Sequence, residues 1–417
     1  MASAPTVQMQ TASVNAPSQA RVSFRAATME RIDILAAEAV TLSASLQPIQ
    51  RTVEGAGYIY GITLIAAATG ATQTAASVAV YTEDAPFNVY DTISLADANG
   101  ELWNLSGFES WVVNVLSRED ADPAPTANAD GAALPSSAGV GGVGTTSSQD
   151  PNVVLNVGAV GSLSTTANAG GNFLFPIRLK VAANRRDLLG LLGNQDRSQK
   201  YQLRTDVSAS TVVFSTAPSS LPALAISKFY EEYSIPLPTA PDGTPQEVFP
   251  ASFGTMLYHT RQTSATAPSN GAQNSHFLQR IGNTIHFLGL IFRSNTTSAG
   301  GGTSGRGNAD INPPTALSLK LGEDVVFRET WGYRRTLMFE RLGYDAPRGI
   351  LQYDWIHDFG PFAGLELGDD LIHTEALVNA QFLVTYPTTA STWQPGSSLK
   401  FITRDDIFNQ PAVAQVR

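Results

Sequence analysis

The sequence has no cysteine. Disulfide scaffolds, cysteine–zinc sites and thiol nucleophiles are therefore excluded. It has no run of Lys or Arg, and its net charge is −10, so a basic groove for nucleic acid is not expected. The longest apolar stretch, "YIYGITLIAAATGA", is too short to span a bilayer and carries threonines. The opening residues, "MASAPTVQMQTASVNAPSQARVSF", lack the basic-then-apolar pattern of a signal peptide.

What is present favours strands. The chain has 417 residues, more than one compact core usually holds, which predicts two domains. Hydrophobic residues make up 43%, and there are 35 Gly and 24 Pro. That mixture suits many short strands joined by turns. The acidic balance suits solubility and close packing of copies to which RNA or DNA does not adhere.

Residues 1 to about 20 are rich in Ala, Ser, Gln and Pro and read as a mobile arm. In "TMERIDILAAEAVTL", Thr28 can cap a short amphipathic helix with Met29, Ile32, Leu35 and Ala36 on one face. From Val53 the period changes to two. "YIYGITLIAAA", "ASVAVYTED", "SWVVNVLSR", "NFLFPIRLKVA", "KYQLRTDVSASTVVFST" and "ALAISKFYEEYSIPL" read as strands, and "NVYDTISLADANGELWNLSG" as a hairpin turning at Asn99-Gly100. Residues 118–172 form a long surface loop broken only by "NVVLNVGAVG", and the proline-rich 236–250 reads as a linker. The same order then restarts: strand "RIGNTIHFLGLIFRS", loop 296–314, and strands "ALSLKLGEDVVFRETW", "RRTLMFERLG" and "ILQYDWIHDFG". Irregular "PFAGLELGDDLIHTEAL" follows, then "VNAQFLVTYP" and "SSLKFITRDDIF". The halves match in order of elements rather than residue by residue.

The stretch Asp187–Leu192 interrupts the strands as a two-turn helix. Leu188, Leu189, Leu191 and Leu192 would cover the open end of a sandwich, with Gly193 as the stop. Other residues suggest chemistry without completing it. Asp354, His357 and Asp358 lie together, but adjacent strand residues face opposite sides. Asp369, Asp370, His373 and Glu375 offer no second histidine at zinc spacing. "DANGE" lacks the later ligands of a calcium loop, and "SAGGGTSGRGN" lacks the GK[ST] ending of a phosphate cradle. Arg334, Arg335 and Arg341 suggest an ion-pairing surface between subunits. No catalytic, cofactor or metal residue is assigned, and no enzyme activity is expected.

Three segments carry a resemblance: Asn172 to Gly193, "FYEEYSIPLPTAPDGTPQ" from Phe229 to Gln246, and "VNAQFLVTYPTTASTWQPGSSLKFITRDDIF". From about residue 22 onward the chain resembles the double jelly-roll major capsid proteins of tailless, membrane-containing (tectivirus-like) bacteriophages. The resemblance implies an all-β fold of two consecutive eight-stranded jelly rolls with short helices at the crossovers. It divides the chain into an arm and helix (1–45), a first roll (46–235), a linker (236–250) and a second roll (251–417). It implies a homotrimer forming a pseudo-hexagonal capsomer of an icosahedral virion shell, made in the host cytoplasm. The partners implied are neighbouring capsomers, minor capsid and vertex proteins, and internal membrane lipid reached through the N-terminal segment. A receptor- or carbohydrate-binding virion spike is the alternative, and a β-sandwich hydrolase a third.

Overall fold

Period-two alternation of apolar residues builds one strand pattern twice. The structure is a computed structural model. It describes residues 20–406 apart from 73–78, 99, 117–172, 183–189, 197–199, 238, 240–245, 250–255, 265–270, 296–303, 343–345, 356–371, 375–376, 378, 389–392 and 394–396.

Among the described strands of five or more residues, the first eight are β1 (Glu30–Thr41), β2 (Gln47–Thr52), β3 (Tyr58–Thr69), β4 (Tyr90–Ala96), β5 (Glu101–Leu105), β6 (Phe173–Lys180), β7 (Gln202–Val207) and β8 (Ala223–Tyr233). The second eight are β9 (Leu257–Ser264), β10 (Gln273–Phe277), β11 (Thr284–Asn295), β12 (Ala316–Leu321), β13 (Asp324–Glu329), β14 (Ile350–Asp354), β15 (Ala380–Thr385) and β16 (Ser398–Asp406). In the first half, the sheets run β1-β8-β3-β6 and β2-β7-β4-β5. In the second half, they run β9-β16-β11-β14 and β10-β15-β12-β13. Adding eight to each number converts one half into the other. Each half is thus a sandwich of two four-stranded sheets with Greek-key crossings.

The inner faces follow from the alternation. In β6 (FLFPIRLK), Phe173, Phe175, Ile177 and Leu179 are buried while Leu174 and Pro176 face out. They meet Ile93, Leu95 and Leu203 of the opposite sheet in one cluster. In the second half, Phe382 and Phe401 close the sandwich with ring centroids 6.0 Å apart. Each fully buried side chain of this kind contributes about 1.5–3 kcal/mol.

Two helices occupy equivalent places. Helix α1 (Gly107–Leu116) follows β5, and helix α2 (Trp331–Leu342) follows β13. Both segments were expected as strands, "SWVVNVLSR" and "RRTLMFERLG". A capping box starts α1: the Ser106 amide donates to Glu109 Oε2 (2.8 Å), and the Glu109 amide donates to Ser106 Oγ (3.2 Å). At α2, the Tyr333 amide donates to Thr330 Oγ1 at 3.3 Å. Local capping outweighs the β-leaning of Val112, Val113 and Trp111.

Further expectations are corrected. Residues 28–42 are not an amphipathic helix. The helix there is only Phe24–Ala27, and Thr28 donates to Phe24 O at its end rather than capping a start. Residues 30–41 form β1, because β8 offers pairing along the whole length, from Glu30↔Tyr233 to Thr41↔Ala223. Eleven residue pairs, interrupted only at Leu35, bind the segment to β8 as the edge of the sheet, a long-range pairing that outweighs the local helical period. Among its described residues, 79–84, "ASVAVYTED" keeps strand at Val80–Tyr81.

The span 236–250 contains a strand, Gln246–Phe249, parallel to Ala20–Ser23. Of the expected loop 296–314, residues 304–305 pair with β11 and 306–311 form a helix with Arg306 and Ala309 buried. Loop 118–172, the arm to residue 19 and half of the predicted helix (187–189) lie outside the described residues. At that helix's expected end, Gly190 turns with φ +85°, and Leu192 and Gly193 pair as strand with Ile59 and Tyr58. Leu191 is buried beside Phe24, Tyr60, Ala182 and Tyr233.

Candidate functional site

The most built polar site joins the two sandwiches. Strand β5 pairs in parallel with β9, with Trp103 opposite His259 and Asn104 opposite Thr260. This single contact fuses one sheet of each half into a continuous sheet across the molecule. The His259 ring stacks on Trp103 with centroids 4.1 Å apart. The Trp103 indole N–H donates to Ser110 Oγ of α1 at 3.2 Å.

Charges across this seam are sorted by side. The first half supplies Glu83, Asp84 and Glu109; the second supplies Arg261, Arg293, Arg306, Arg348 and Lys400. Glu109 is buried and receives Lys400 Nζ at 2.9 Å and Arg261 Nη1 at 3.5 Å. Asp84 binds Arg293 and, at 2.8 Å, Arg306 Nε. The Arg306 amide donates to Glu83 Oε2 at 2.6 Å, and Arg348 approaches Glu83 at 3.6 Å. Arg306 has no exposure, and its guanidinium lies 4.8 Å from the Phe108 ring centroid. At the other end of α1, the Leu116 carbonyl accepts from Arg341 (3.0 Å) and Gln352 (3.3 Å). A cation at a helix C-terminus complements the carbonyl dipoles there.

Burial alone would raise the Glu109 carboxyl, but Lys400 and then Arg261 outweigh it and hold it below the usual carboxylate range. Asp84 is lowered likewise, its burial outweighed by Arg293 and Arg306. His259 is held well below an ordinary imidazole by burial first, then by Arg404 and His286. At neutral pH the seam therefore carries ionised carboxylates and a neutral imidazole. This arrangement can lock two sandwiches into one rigid body.

Residues singled out in the sequence fall elsewhere. Arg334 stacks on Tyr353 (4.1 Å to the centroid) and donates to the Gln352 carbonyl. Arg335 donates to the carbonyls of Ala346, Pro347 and Ile350. With Arg341 of α2 donating to the Leu116 carbonyl of α1, all three arginines serve bonds within the chain, which corrects the expected surface between subunits. Asp354 is buried, 3.8 Å from Arg341. His357, Asp358, Asp369, Asp370 and Glu375 lie outside the described residues, and His373 sits in a two-residue strand beside β11. Among the described residues, no group of three His, Asp or Glu is placed to hold a metal ion. No described helix is long and apolar enough to cross a membrane.

Two eight-stranded rolls in one chain, with the same strand order and an internal seam, define a double jelly roll. The fold is shared with solved viral capsid proteins. The STIV MCP structure has a TM-score of 0.56 at 12% identity, over 91% of this chain and 97% of that one. The PBCV-1 virus capsid structure has a TM-score of 0.58 at 12% identity, over 91% and 94%. No family model matches the sequence, and no curated protein matches it.

Proposed function

We propose that this chain is a major capsid protein that self-assembles as pseudo-hexagonal trimers into an icosahedral virion shell. The observation that carries the reading is the repeated roll with its buried, charge-sorted seam. A shell subunit must present two similar wedges at a fixed angle, and a rigid seam does that. The capsid origin of the solved structures that share the fold over nine-tenths of the chain supports it. The role is structural rather than enzymatic, and the site of action is the virion.

The first roll is proposed to begin at β1, at residue 30 instead of 46, and to end near 235; the second begins near 257. Neighbouring capsomers and minor capsid and vertex proteins are the proposed partners. Lipid adhesion by an amphipathic helix loses its basis over residues 30–41, which are strand. Any contact with an internal membrane is confined to residues 1–29, where Arg21 and Arg25 supply the positive charge.

Expression of the full chain, with particle size read by light scattering and electron microscopy, tests the reading. Closed shells or flat pseudo-hexagonal arrays are expected. Small oligomers with glycan affinity would support the spike alternative instead.

A further inference from the structure

The internal seam is built from two surfaces, and each has an equivalent at the opposite roll with no further strand paired to it among the described residues. The first roll contributes the edge of β5 with helix α1. The counterpart in the second roll is the edge of β13 with helix α2, and among the described residues β13 pairs only with β12. The second roll contributes the edge of β9. Its counterpart is β1, which among the described residues pairs only with β8.

Register irregularities fix the correspondence residue by residue. Between β4 and β5 the register runs Leu95↔Trp103 and then jumps to Ala96↔Glu101. Between β12 and β13 it runs Leu319↔Phe327 and jumps to Lys320↔Val325. Phe327 therefore stands where Trp103 does, Arg328 where Asn104 does, and Val326 where Leu102 does. Counting on, Thr330 matches the cap Ser106, and Tyr333 matches Glu109.

On the other surface, β11 and β16 jump from Ile285↔Asp405 to Phe287↔Arg404. Strands β3 and β8 jump from Ile59↔Glu232 to Gly61↔Glu231. His259 pairs with Arg404, and Ile32 pairs with Glu231. So Ile32 matches His259, Asp33 matches Thr260, and Ile34 matches Arg261.

Exposure shows which member of each pair is covered. Leu102 is 2% exposed and Val326 is 47%; His259 is 2% and Ile32 is 66%. Ile34 and Tyr333 are also open, whereas their equivalents Arg261 and Glu109 form an ion pair. The uncovered positions are chemically matched to each other. The polar pair Thr260/Asn104 becomes Asp33/Arg328, of opposite charge. The ionic pair Arg261/Glu109 becomes Ile34/Tyr333, both apolar in contact.

We propose that β13 of one copy pairs in parallel with β1 of the next, with Phe327 opposite Ile32 and Arg328 opposite Asp33. Helix α2 then packs Tyr333 onto the neighbour's Ile34. The contact is heterologous, one surface meeting a different one, so it closes into a ring when the rotation allows. Three two-roll chains give a ring of six rolls in which every junction follows the internal seam. Paired edges also remove two free strand edges that would otherwise template aggregation. This inference rests on the assembly reading above and specifies its contact.

The absence of native cysteine makes a direct test available. In the full chain carrying Asp33→Cys and Arg328→Cys together, oxidation is expected to give covalent oligomers on non-reducing gels. Either single substitution is expected to give no ladder. A second arm copies the internal seam. Ile34→Arg or Tyr333→Glu alone should weaken oligomerisation at least about tenfold, and the two together should restore it, as Arg261 and Glu109 do. Circular dichroism and thermal unfolding check that each variant folds. Native-size oligomers with no cross-link and no rescue overturn the contact while the assembly reading stands. A wild-type chain that stays monomeric at all concentrations overturns both.

Discussion

Trp103 and His259 are strand partners and ring partners at once: they lie opposite each other in the parallel pair between the rolls, with centroids 4.1 Å apart. Backbone pairing and side-chain packing thus fall on one point, and both residues are buried there. Trp103→Ala would remove the stack, the indole bond to Ser110 and a large buried volume. A loss of about 3–5 kcal/mol is expected. Urea unfolding should show it as a lower midpoint, with the first transition reporting separation of the rolls. An unchanged midpoint would mean that the seam contributes nothing to stability.

Glu109 serves two roles, as the third residue of a capping box and as the anion between Lys400 and Arg261. Glu109→Gln keeps the shape but leaves two cations facing a neutral amide. Breaking a buried pair by removing one partner costs about 3–5 kcal/mol. Lys400→Met should cost less, because Arg261 still neutralises Glu109. Thermal unfolding of the two variants ranks them, and the reverse order would contradict the assigned geometry.

Much of the strand order was legible because alternation is local. The burial pattern of β6 reproduces its sequence alternation, and β4 and β5 form the expected hairpin, whose connection 97–100 holds Gly100 at positive φ while Asn99 lies outside the described residues. The failures have physical causes. Residues 30–41 are helix-compatible in period, and only the distant partner β8 makes them strand. Helix α1 is apolar on most sides because roll and seam bury it, so its periodicity is weak; its one local signal, Ser106 with Glu109, is a capping box. The seam was not legible. Glu83 and Arg306 are 223 residues apart in the chain, and no spacing rule joins them.

Acid should loosen the molecule in two stages. His259 has a folded pKa below its unfolded value, so the unfolded chain binds the proton more readily. Its stabilising contribution is full above about pH 6.5 and declines as pH falls below that. His276, lowered to about 4 by burial, adds in the same direction. Asp84 and Glu109 are also depressed, so their contribution is present above the ordinary carboxylate range and is lost as pH falls through their folded values. Protonated His259 would face Arg404 and His286, and Asp406 lies 3.3 Å from His286 Nε2. Melting temperature should decline below about pH 6.5 and fall more steeply below about pH 4. A flat profile between pH 7 and 5 would remove the histidine contribution.

The first roll holds a second buried ion pair, and its two members are not equivalent. Lys228 has no exposure, and its Nζ lies 3.0 Å from Glu38. Glu38 also meets Arg51 at 2.8 Å, and Arg51 is half exposed. Lys228→Met therefore leaves Glu38 with a cation, while Glu38→Leu leaves Lys228 inside the roll with its anion removed. The second change should cost more, about 3–5 kcal/mol. It should also respond to pH. Burial holds the Lys228 ammonium below its usual value despite Glu38, and loss of Glu38 lowers it further. A lysine depressed in the folded state destabilises less as pH rises through its folded value, because the neutral amine is accommodated. Unfolding midpoints of Glu38→Leu should recover between pH 7 and about pH 10 relative to wild type, and those of Lys228→Met should not. Equal losses with no pH dependence would show that the Lys228 ammonium is compensated by a group other than Glu38.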